Sequence, residues 1–395
     1  MNTPLPLSQR FAVVTETYSP QINGVANTLG RLGSGLLQRN HQLQLIRPAL
    51  ADESSASHSR DGLSEHLLRG LPIPGYPELQ WGLPAASALK RLWQAERPHA
   101  VYLATEGPLG WSALRVANRL QIPVISGFHT HFQQYTQHYG LSLLQAPVMA
   151  YLRWFHNNTR MTLTASPSQQ RELLRAGIQN LALLGRGVDC DRFHPGLRDP
   201  ALRAHWGVKE GDLVLLHVGR LAAEKNLSLL VSAWKQLQLS KQGSQNCKLV
   251  IVGDGPLRGD LQQQLPEAIF TGALTGAPLG QAYASADVFV FPSMTETFGN
   301  VVTEAMASGL AVCAFDSAAA HQHIRDRFSG CLAPLSNDSL FIDNLCWLVR
   351  DPEGRRSIRL HARHRACQLG WEPVVQRFEG YLMKAAGSPL AGLPN

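Results

Sequence analysis

Paired cysteines, long apolar runs and clustered charge are what this chain has least of. Its six cysteines stand singly, at 190, 247, 313, 331, 346 and 367. None forms a CxxC pair, so neither a disulfide framework nor a zinc site is indicated, and a reducing cytoplasm is expected. No run of about 18 apolar residues occurs, so no membrane-spanning helix is expected. The opening "MNTPLPLSQRFAVVTETY" has no long apolar segment ahead of a cleavage site, so no secretory leader is expected either. Lys and Arg number 36 against 29 Asp and Glu, a net charge of +7, yet no run of five basic residues exists. That balance favours nucleotide phosphates or an anionic membrane face as partners. Its even spread disfavours nucleic acid.

What is present is rhythm. With 395 residues and 44% apolar, the chain is globular and long enough for two domains. Short apolar runs alternate with amphipathic helix patterns, as in a parallel α/β fold. "FAVVTETY" (11–18), "QLQLIRP" (42–48), "HAVYLAT" (99–105), "IPVISGF" (122–128) and "RMTLTAS" (160–166) read as strands. Helices are expected over about 25–39 and over 141–159, the second interrupted at Pro147. The stretch 185–200, "GRGVDCDRFHPGLRDP", reads as a linker. The pattern then restarts. "DLVLLHVG" (212–219), "CKLVIVG" (247–253), "ADVFVFP" (286–292) and "LAVCAF" (310–315) read as strands, "LSLLVSAWKQL" (227–237) and "WEPVVQRFEGYLMKA" (371–385) as helices. The expected architecture is two doubly wound parallel-sheet domains, 1–187 and 188–370. Residues 371–395 form a C-terminal helix packing back toward the first. A cleft is expected where the carboxyl ends of the two sheets face each other, and the loops after strands are where ligands bind.

Four such loops carry chemistry. In "TETYSPQINGV", Gly24 lies at a helix start, where backbone N–H groups can approach a phosphate; a plain turn would look the same. "GRLGSG" (30–35) falls inside the helix pattern and is not a dinucleotide fingerprint. "GFHTHFQQY" (127–135) sets His129 and His131 beside Phe128, Phe132 and Tyr135. Two histidines at i and i+2 share no helix face, so polar groups in an aromatic-walled pocket, or structural histidines, fit better than a metal site. "VGRLAAEKN" places Arg220 straight off a strand and Lys225 five residues on, a planar fork and a point charge suited to a diphosphate. A solvated cluster of Arg220, Glu224 and Lys225 is the bland alternative. In "SMTETFGNVVTEAMASG", Glu296 lies in the loop and Glu304 in the helix, with Asn300 expected as N-cap. Eight helical residues rise about 12 Å. The carboxyl pair of a glycosidase stands about 5–9.5 Å apart. The spacing therefore suits acid, anion site, acid, which describes a nucleotide sugar; an ordinary acidic helix start remains open.

Taken together, these motifs resemble the GT-B glycosyltransferases of family 4. They run in order from "ETYSPQINGVANTL", "TEGPLG" (105–110), "GFHTHFQQYTQHYG" and "GRGVDCDRFHP" to "VGRLAAEKN", "LVIVGDGP" and the Glu296/Glu304 pair, almost the whole length. The resemblance implies two Rossmann-like domains, the first binding acceptor and the second nucleotide sugar, and sugar transfer with retention of configuration. It implies that Arg220 and Lys225 hold the diphosphate, that Gly24 lets its loop close on the donor, and that His129 lies near the reacting carbon. Glu296 would take sugar hydroxyls, with amides at Phe298, Gly299 and Asn300 nearby, and Glu304 the ribose. Glu106, His131 and Tyr135 are acceptor candidates. No cofactor or metal is expected, since no metal-binding Asp-x-Asp triplet appears. Within the family, "LPIPGYPELQWGLP" and "GRGVD" look like bacterial GDP-mannose-dependent α-mannosyltransferases, bordering on sulfoquinovosyl- and glucosyl-diacylglycerol synthases. GDP-mannose and a lipid or glycan acceptor are thus the expected substrates. A UDP-glucose, UDP-galactose or UDP-sulfoquinovose enzyme acting on diacylglycerol is the alternative. A non-catalytic nucleotide-sugar-binding module and a sugar-phosphate epimerase are further removed. One departure is Glu16 in "TETY", where related sequences often carry Asp. The segment 128–160, with Phe128, Tyr135, Tyr139, Arg153, Trp154 and Arg160, is a candidate acceptor and membrane face.

Overall fold

The computed structural model describes residues 8–387 apart from 20, 22, 51, 52, 54–57, 74, 75, 130–144, 240–245 and 297. The described chain forms two compact units. One takes residues up to 129, 145–186 and 371–387, and the other takes 187–370.

The first unit contains strands β1 Arg10–Val14, β2 Gln42–Pro48, β3 His58–Arg60, β4 Leu63–Leu68, β5 Gly70–Ile73, β6 Tyr76–Gly82, β7 Ala100–Leu103, β8 Val124–Gly127, β9 Met161–Thr164 and β10 Leu181–Leu183. Eight of them make one sheet, ordered β10-β9-β8-β7-β1-β2-β4-β3, and β5 and β6 pair as a separate hairpin. All neighbours in the large sheet are parallel except β3 against β4. Period-2 alternation divides β1 between two cores. Phe11 and Val13 join the apolar face of helix Gly24–Gln38 (Leu29, Leu32, Leu36), while Ala12 and Val14 join Leu89, Trp93, Leu109 and Ala113 on the opposite face. Burial on both faces is why the strand reads as an unbroken apolar run.

Strand β1 stops at Val14, four residues short of the apolar pattern. The buried Thr15 hydroxyl donates to the Thr17 carbonyl at 2.8 Å and accepts from the Thr17 N–H at 3.1 Å. That local closure competes with the ladder and turns the chain, so Glu16 and Tyr18 enter the loop. Pro147 is the third residue of helix Gln145–Asn157 and does not interrupt it, because a first-turn residue has no intrahelical N–H bond to lose.

The second unit holds β11 Leu213–Val218, β12 Cys247–Val252, β13 Ile269–Gly272, β14 Val288–Phe291, β15 Ala311–Phe315 and β16 Cys331–Ala333, ordered β13-β12-β11-β14-β15-β16 and all parallel. Stretch 185–200 carries no strand, as its composition indicates, but it is packed: Arg186, Val188 and Phe193 are buried.

Helix Trp371–Ala386 lies in the first unit. Val374, Val375, Phe378 and Leu382 are buried, with the Phe378 ring 4.9 Å from Tyr102. Gly35 permits the approach, since a Cβ there would stand 2.5 Å from Val375 Cγ1. Glu379 accepts from Arg39 at 2.9 Å and pairs with His41 at 2.8 Å, so its buried carboxylate is partnered. Phe378→Ala should therefore lower the unfolding free energy by about 3–5 kcal/mol. Urea titration followed by tryptophan fluorescence reads this; an unchanged midpoint would contradict the packing.

Candidate active site

In the second unit, β11 is flanked by β12 on one side and β14 on the other, and the loops after β11 and β14 emerge together at this switch point. Arg220 and Lys225 lie on the first loop and Glu296 on the second. A single 3₁₀ turn, Ala223–Lys225, ends on Asn226 at φ +52°, and the Asn226 amide donates to the Pro292 carbonyl at 3.3 Å. The Thr295 hydroxyl donates back to the Glu224 carbonyl at 3.0 Å. These ties set Lys225 Nζ 2.5 Å from Glu296 Oε1, which also accepts from the Ser293 hydroxyl at 2.9 Å. Both side chains are largely withdrawn from water, so this is no solvated charge cluster.

Two glycines after β12 support the Arg220 loop. Gly253 and Gly255 sit at φ +143° and +157°, and a Cβ would meet the Gly219 carbonyl oxygen at 1.9 Å or that of Leu221 at 2.4 Å. Only glycine permits this approach. In the sequence, the signal for this approach is Gly253-Asp254-Gly255 directly after a strand.

Helix Asn300–Ala307 follows the Glu296 loop. Gly299, at φ +87°, is its N-cap, and Asn300 is its first residue, a correction of the expected Asn300 cap. The left-handed turn that brings the chain onto the helix needs a glycine, and it leaves the Asn300 Oδ1 buried with no hydrogen-bond partner among the described residues. Phe298 is buried against His323, and its carbonyl accepts from Ala319 N–H at 2.7 Å. Glu304 sits one turn into the helix. Tyr283 donates to its Oε2 at 3.0 Å, but desolvation dominates and pushes the Glu304 carboxyl up to about 7.

In the first unit, helix Gly24–Gln38 is capped by the Asn23 side chain, and Gly24 is its first helical residue. Glu16 accepts from Leu109 N–H at 3.2 Å at the start of helix Pro108–Arg119 and covers Gly107, where a Cβ would clash at 2.0 Å. Burial, assisted by the neighbouring Glu106, pushes Glu16 up to about 7. The Glu106 carboxylate faces His156 Nε2 at 3.3 Å, and its carbonyl accepts from the Tyr151 hydroxyl at 2.5 Å. His129 is buried with both ring nitrogens engaged, by Tyr102 at 2.7 Å and Arg186 at 2.8 Å, and burial next to Arg186 lowers its pKa well below the ordinary value. Nothing in the sequence pattern singled out Tyr102, Arg186 or Tyr283. His131 and Tyr135 lie outside the described residues, as does Tyr139. Phe128 is buried, whereas Trp154 is exposed and stacks on Tyr151.

Contrary to the expectation, the chain does contain one Asp-x-Asp triplet, Asp189-Cys190-Asp191. Asp189 Oδ1 accepts from the N–H groups of Asp191 and Arg192, closing a turn. Among the described residues, no three His, Cys, Asp or Glu side chains are grouped to hold a metal.

Comparison with known proteins decides the family. The description "Glycosyltransferase Family 4" matches residues 22–192 and "Glycosyl transferases group 1" matches 212–351. A GDP-mannose-dependent alpha-mannosyltransferase of Mycobacterium tuberculosis is 33% identical over 380 residues, 96% of this chain and 97% of that protein. The chain belongs to the family 4 glycosyltransferases. It is thus a retaining, nucleotide-sugar-dependent transferase of the hexosyltransferase class. The transferase is also 32% identical to the sulfoquinovosyl transferase SQD2 of Arabidopsis thaliana, over 80% of this chain and 63% of that one. Its fold is GT-B. The sucrose-phosphate synthase of Thermosynechococcus elongatus superposes with a TM-score of 0.78 at 19% identity, covering 96% and 100% of the two chains. Anabaena HepE in complex with UDP and glucose superposes at 0.74 and 16%, covering 95% and 100%.

The raised Glu304 value has a testable sign. A carboxyl whose folded pKa of about 7 exceeds its ordinary 4.5 makes the fold less stable as pH rises through that window. Glu304→Gln should raise the melting temperature of the free transferase at pH 7.5, and the gain should shrink toward pH 5. A gain independent of pH would contradict the burial of an ionisable carboxyl there.

Proposed function

We propose that this transferase moves mannose from GDP-mannose to a lipid or glycan acceptor, working at the inner face of the cell membrane. The observation that carries the donor assignment is the near full-length similarity to a GDP-mannose-dependent relative, with two others at 35% and 36% identity over 76% and 78% of this chain. The second unit supplies the donor site. Arg220 and Lys225 take the diphosphate, the amides of Phe298, Gly299 and Asn300 lie alongside it, and Glu304 takes the ribose hydroxyls. The described hydrogen bonds to Glu296 fall on Oε1; in this reading Oε2 takes a sugar hydroxyl. Donor entry parts the Lys225–Glu296 pair: the ammonium turns to phosphate, the carboxylate to sugar. Catalysis then rests on stabilising charge on the departing diphosphate. That oxygen can accept the acceptor's proton, so no separate base is needed.

The first unit supplies the acceptor side, through Glu106, His131 and Tyr135, with Gly24 and His129 facing the donor sugar. No helix among the described residues is long and apolar enough to cross a membrane, and the net charge of +7 suits peripheral attachment to an anionic surface. A second reading, a UDP-sugar-dependent diacylglycerol glycosyltransferase, draws on the similarity to SQD2 and to an alpha-monoglucosyldiacylglycerol synthase of Streptococcus pneumoniae, 25% identical over 82% of this chain.

A nucleotide-release screen of GDP-mannose, UDP-glucose, UDP-galactose and UDP-sulfoquinovose, each with diacylglycerol and sugar acceptors, separates the two readings. GDP release is expected; release from UDP donors alone overturns the mannose assignment. Activity should survive EDTA, and loss restored by one divalent ion would refute the metal-free reading. Glu304→Ala should weaken donor binding by about 10- to 100-fold, the scale of one or two charge-assisted hydrogen bonds. Lys225→Ala should lower kcat by roughly 100-fold. Isothermal titration with GDP and steady-state kinetics read the two effects.

A further inference from the structure

We propose that Arg186 is a positioning residue that holds His129 as the neutral Nε2–H tautomer, so that this histidine can neither accept a proton nor turn its ring. The functional half of this inference rests on the reading that His129 faces the donor sugar; the tautomer itself does not.

The assignment follows from donor and acceptor chemistry. Arg186 Nη2 lies 2.8 Å from His129 Nδ1. A guanidinium has only donors, so Nδ1 must present its lone pair. The proton of the neutral ring is then on Nε2, 2.7 Å from the Tyr102 hydroxyl, to which it donates. A second proton would set N–H against N–H at 2.8 Å beside a fixed cation.

The surroundings keep the two bonds in register. Gly127 makes room for the upper one: a Cβ there would stand 2.1 Å from the Tyr102 hydroxyl and 2.5 Å from His129 Nε2. Arg186 is anchored in turn, with Nη1 donating to the carbonyls of Leu184 and Gly185 at 3.3 Å each. Tyr102 is fully buried against Phe378, and desolvation keeps its phenol protonated. Among the described residues, the charged and titratable groups facing the ring are Tyr102 from β7, Arg186 from the segment after β10 and His156 from helix Gln145–Asn157, with Glu106 acting on Tyr102. None of these supplies a carboxylate bonded to His129, the arrangement that makes a histidine a base. Among the described residues no ion pair joins Arg186 to a carboxylate either. Stability alone does not favour a buried guanidinium so placed. Arg186 is also the residue at which the chain leaves the first unit for residues 187–370 of the second.

The test uses the full chain with ¹⁵N-labelled histidine. Long-range ¹H–¹⁵N spectra report the tautomer, with His129→Gln identifying the resonances. Wild type should show a single Nε2–H form that does not titrate between pH 5.5 and 8.5. Arg186→Met should admit the Nδ1–H form and move the ring's titration upward, and Arg186→Lys, which keeps a charged donor, should restore the wild-type pattern. An Nδ1–H form or a titrating His129 in wild type overturns the proposal without any variant, as does an unchanged tautomer in folded Arg186→Met. If Arg186→Met does not fold, the wild-type spectrum and Arg186→Lys decide. In kinetics, Arg186→Met should lower kcat by roughly 100-fold with little change in donor KM, and add an acid limb to the pH profile that His129→Gln abolishes. A released ring with unchanged kcat leaves the tautomer lock standing and removes His129 from the donor-sugar reading.

Discussion

Parallel pairing is the constraint on which the rest of this molecule depends. Every parallel strand leaves its sheet at the same edge, so loops distant in sequence converge there without long excursions. In the second unit the ends of β11, β12 and β14 bring Arg220, Gly253 and Glu296 to one place. In the first, the ends of β1, β7 and β8 do the same for Glu16, Glu106 and His129. The apolar runs that bury each strand thus also decide where the polar residues following them must stand.

At those edges desolvation, more than pairing, sets the ionisation. Glu16 and Glu304 are both pushed up toward neutrality, and burial is the largest cause in each. His129 is pushed the other way by the same cause, reinforced by Arg186. Lys225 and Glu296 form a close ion pair at the proposed donor site, and the proposal gives them opposite parts of one ligand. In the described structure each charge of the pair is compensated by the other, which costs less than holding either alone at that burial.

The sequence displays the strands and most of the proposed donor site plainly, because both rest on local pattern. Apolar runs mark β11 and β14, and Arg220, Lys225 and Glu296 follow them at once. Where the structure departs from the local pattern, a single residue overrides the local rule. The Thr15 hydroxyl ended β1 early, and Gly299 took the cap that Asn300 would have filled by preference. The Tyr102–His129–Arg186 arrangement was invisible for another reason. Its members are 27 and 57 residues apart, on separate elements, and nothing in "AVYL" or "GRGVD" announces that they meet. The Tyr283 support for Glu304 was hidden in the same way, since a tyrosine in an apolar helix reads as ordinary core.

The first unit is built from both ends of the chain, with the second inserted between Arg186 and Trp371. This has a bearing on synthesis. Residues 187–370 emerge from the ribosome as one continuous segment and can close their core as soon as they are out. The earlier half of the first unit must wait, because Val374, Phe378 and Leu382 complete the face of helix Gly24–Gln38 and cover Tyr102. Until those last residues arrive, Leu29, Leu32 and Leu36 lack the apolar surface that finally covers them. The order of maturation is therefore reversed relative to the order of translation: the unit begun first is finished last, and its histidine gains the tyrosine's settled environment only at the end.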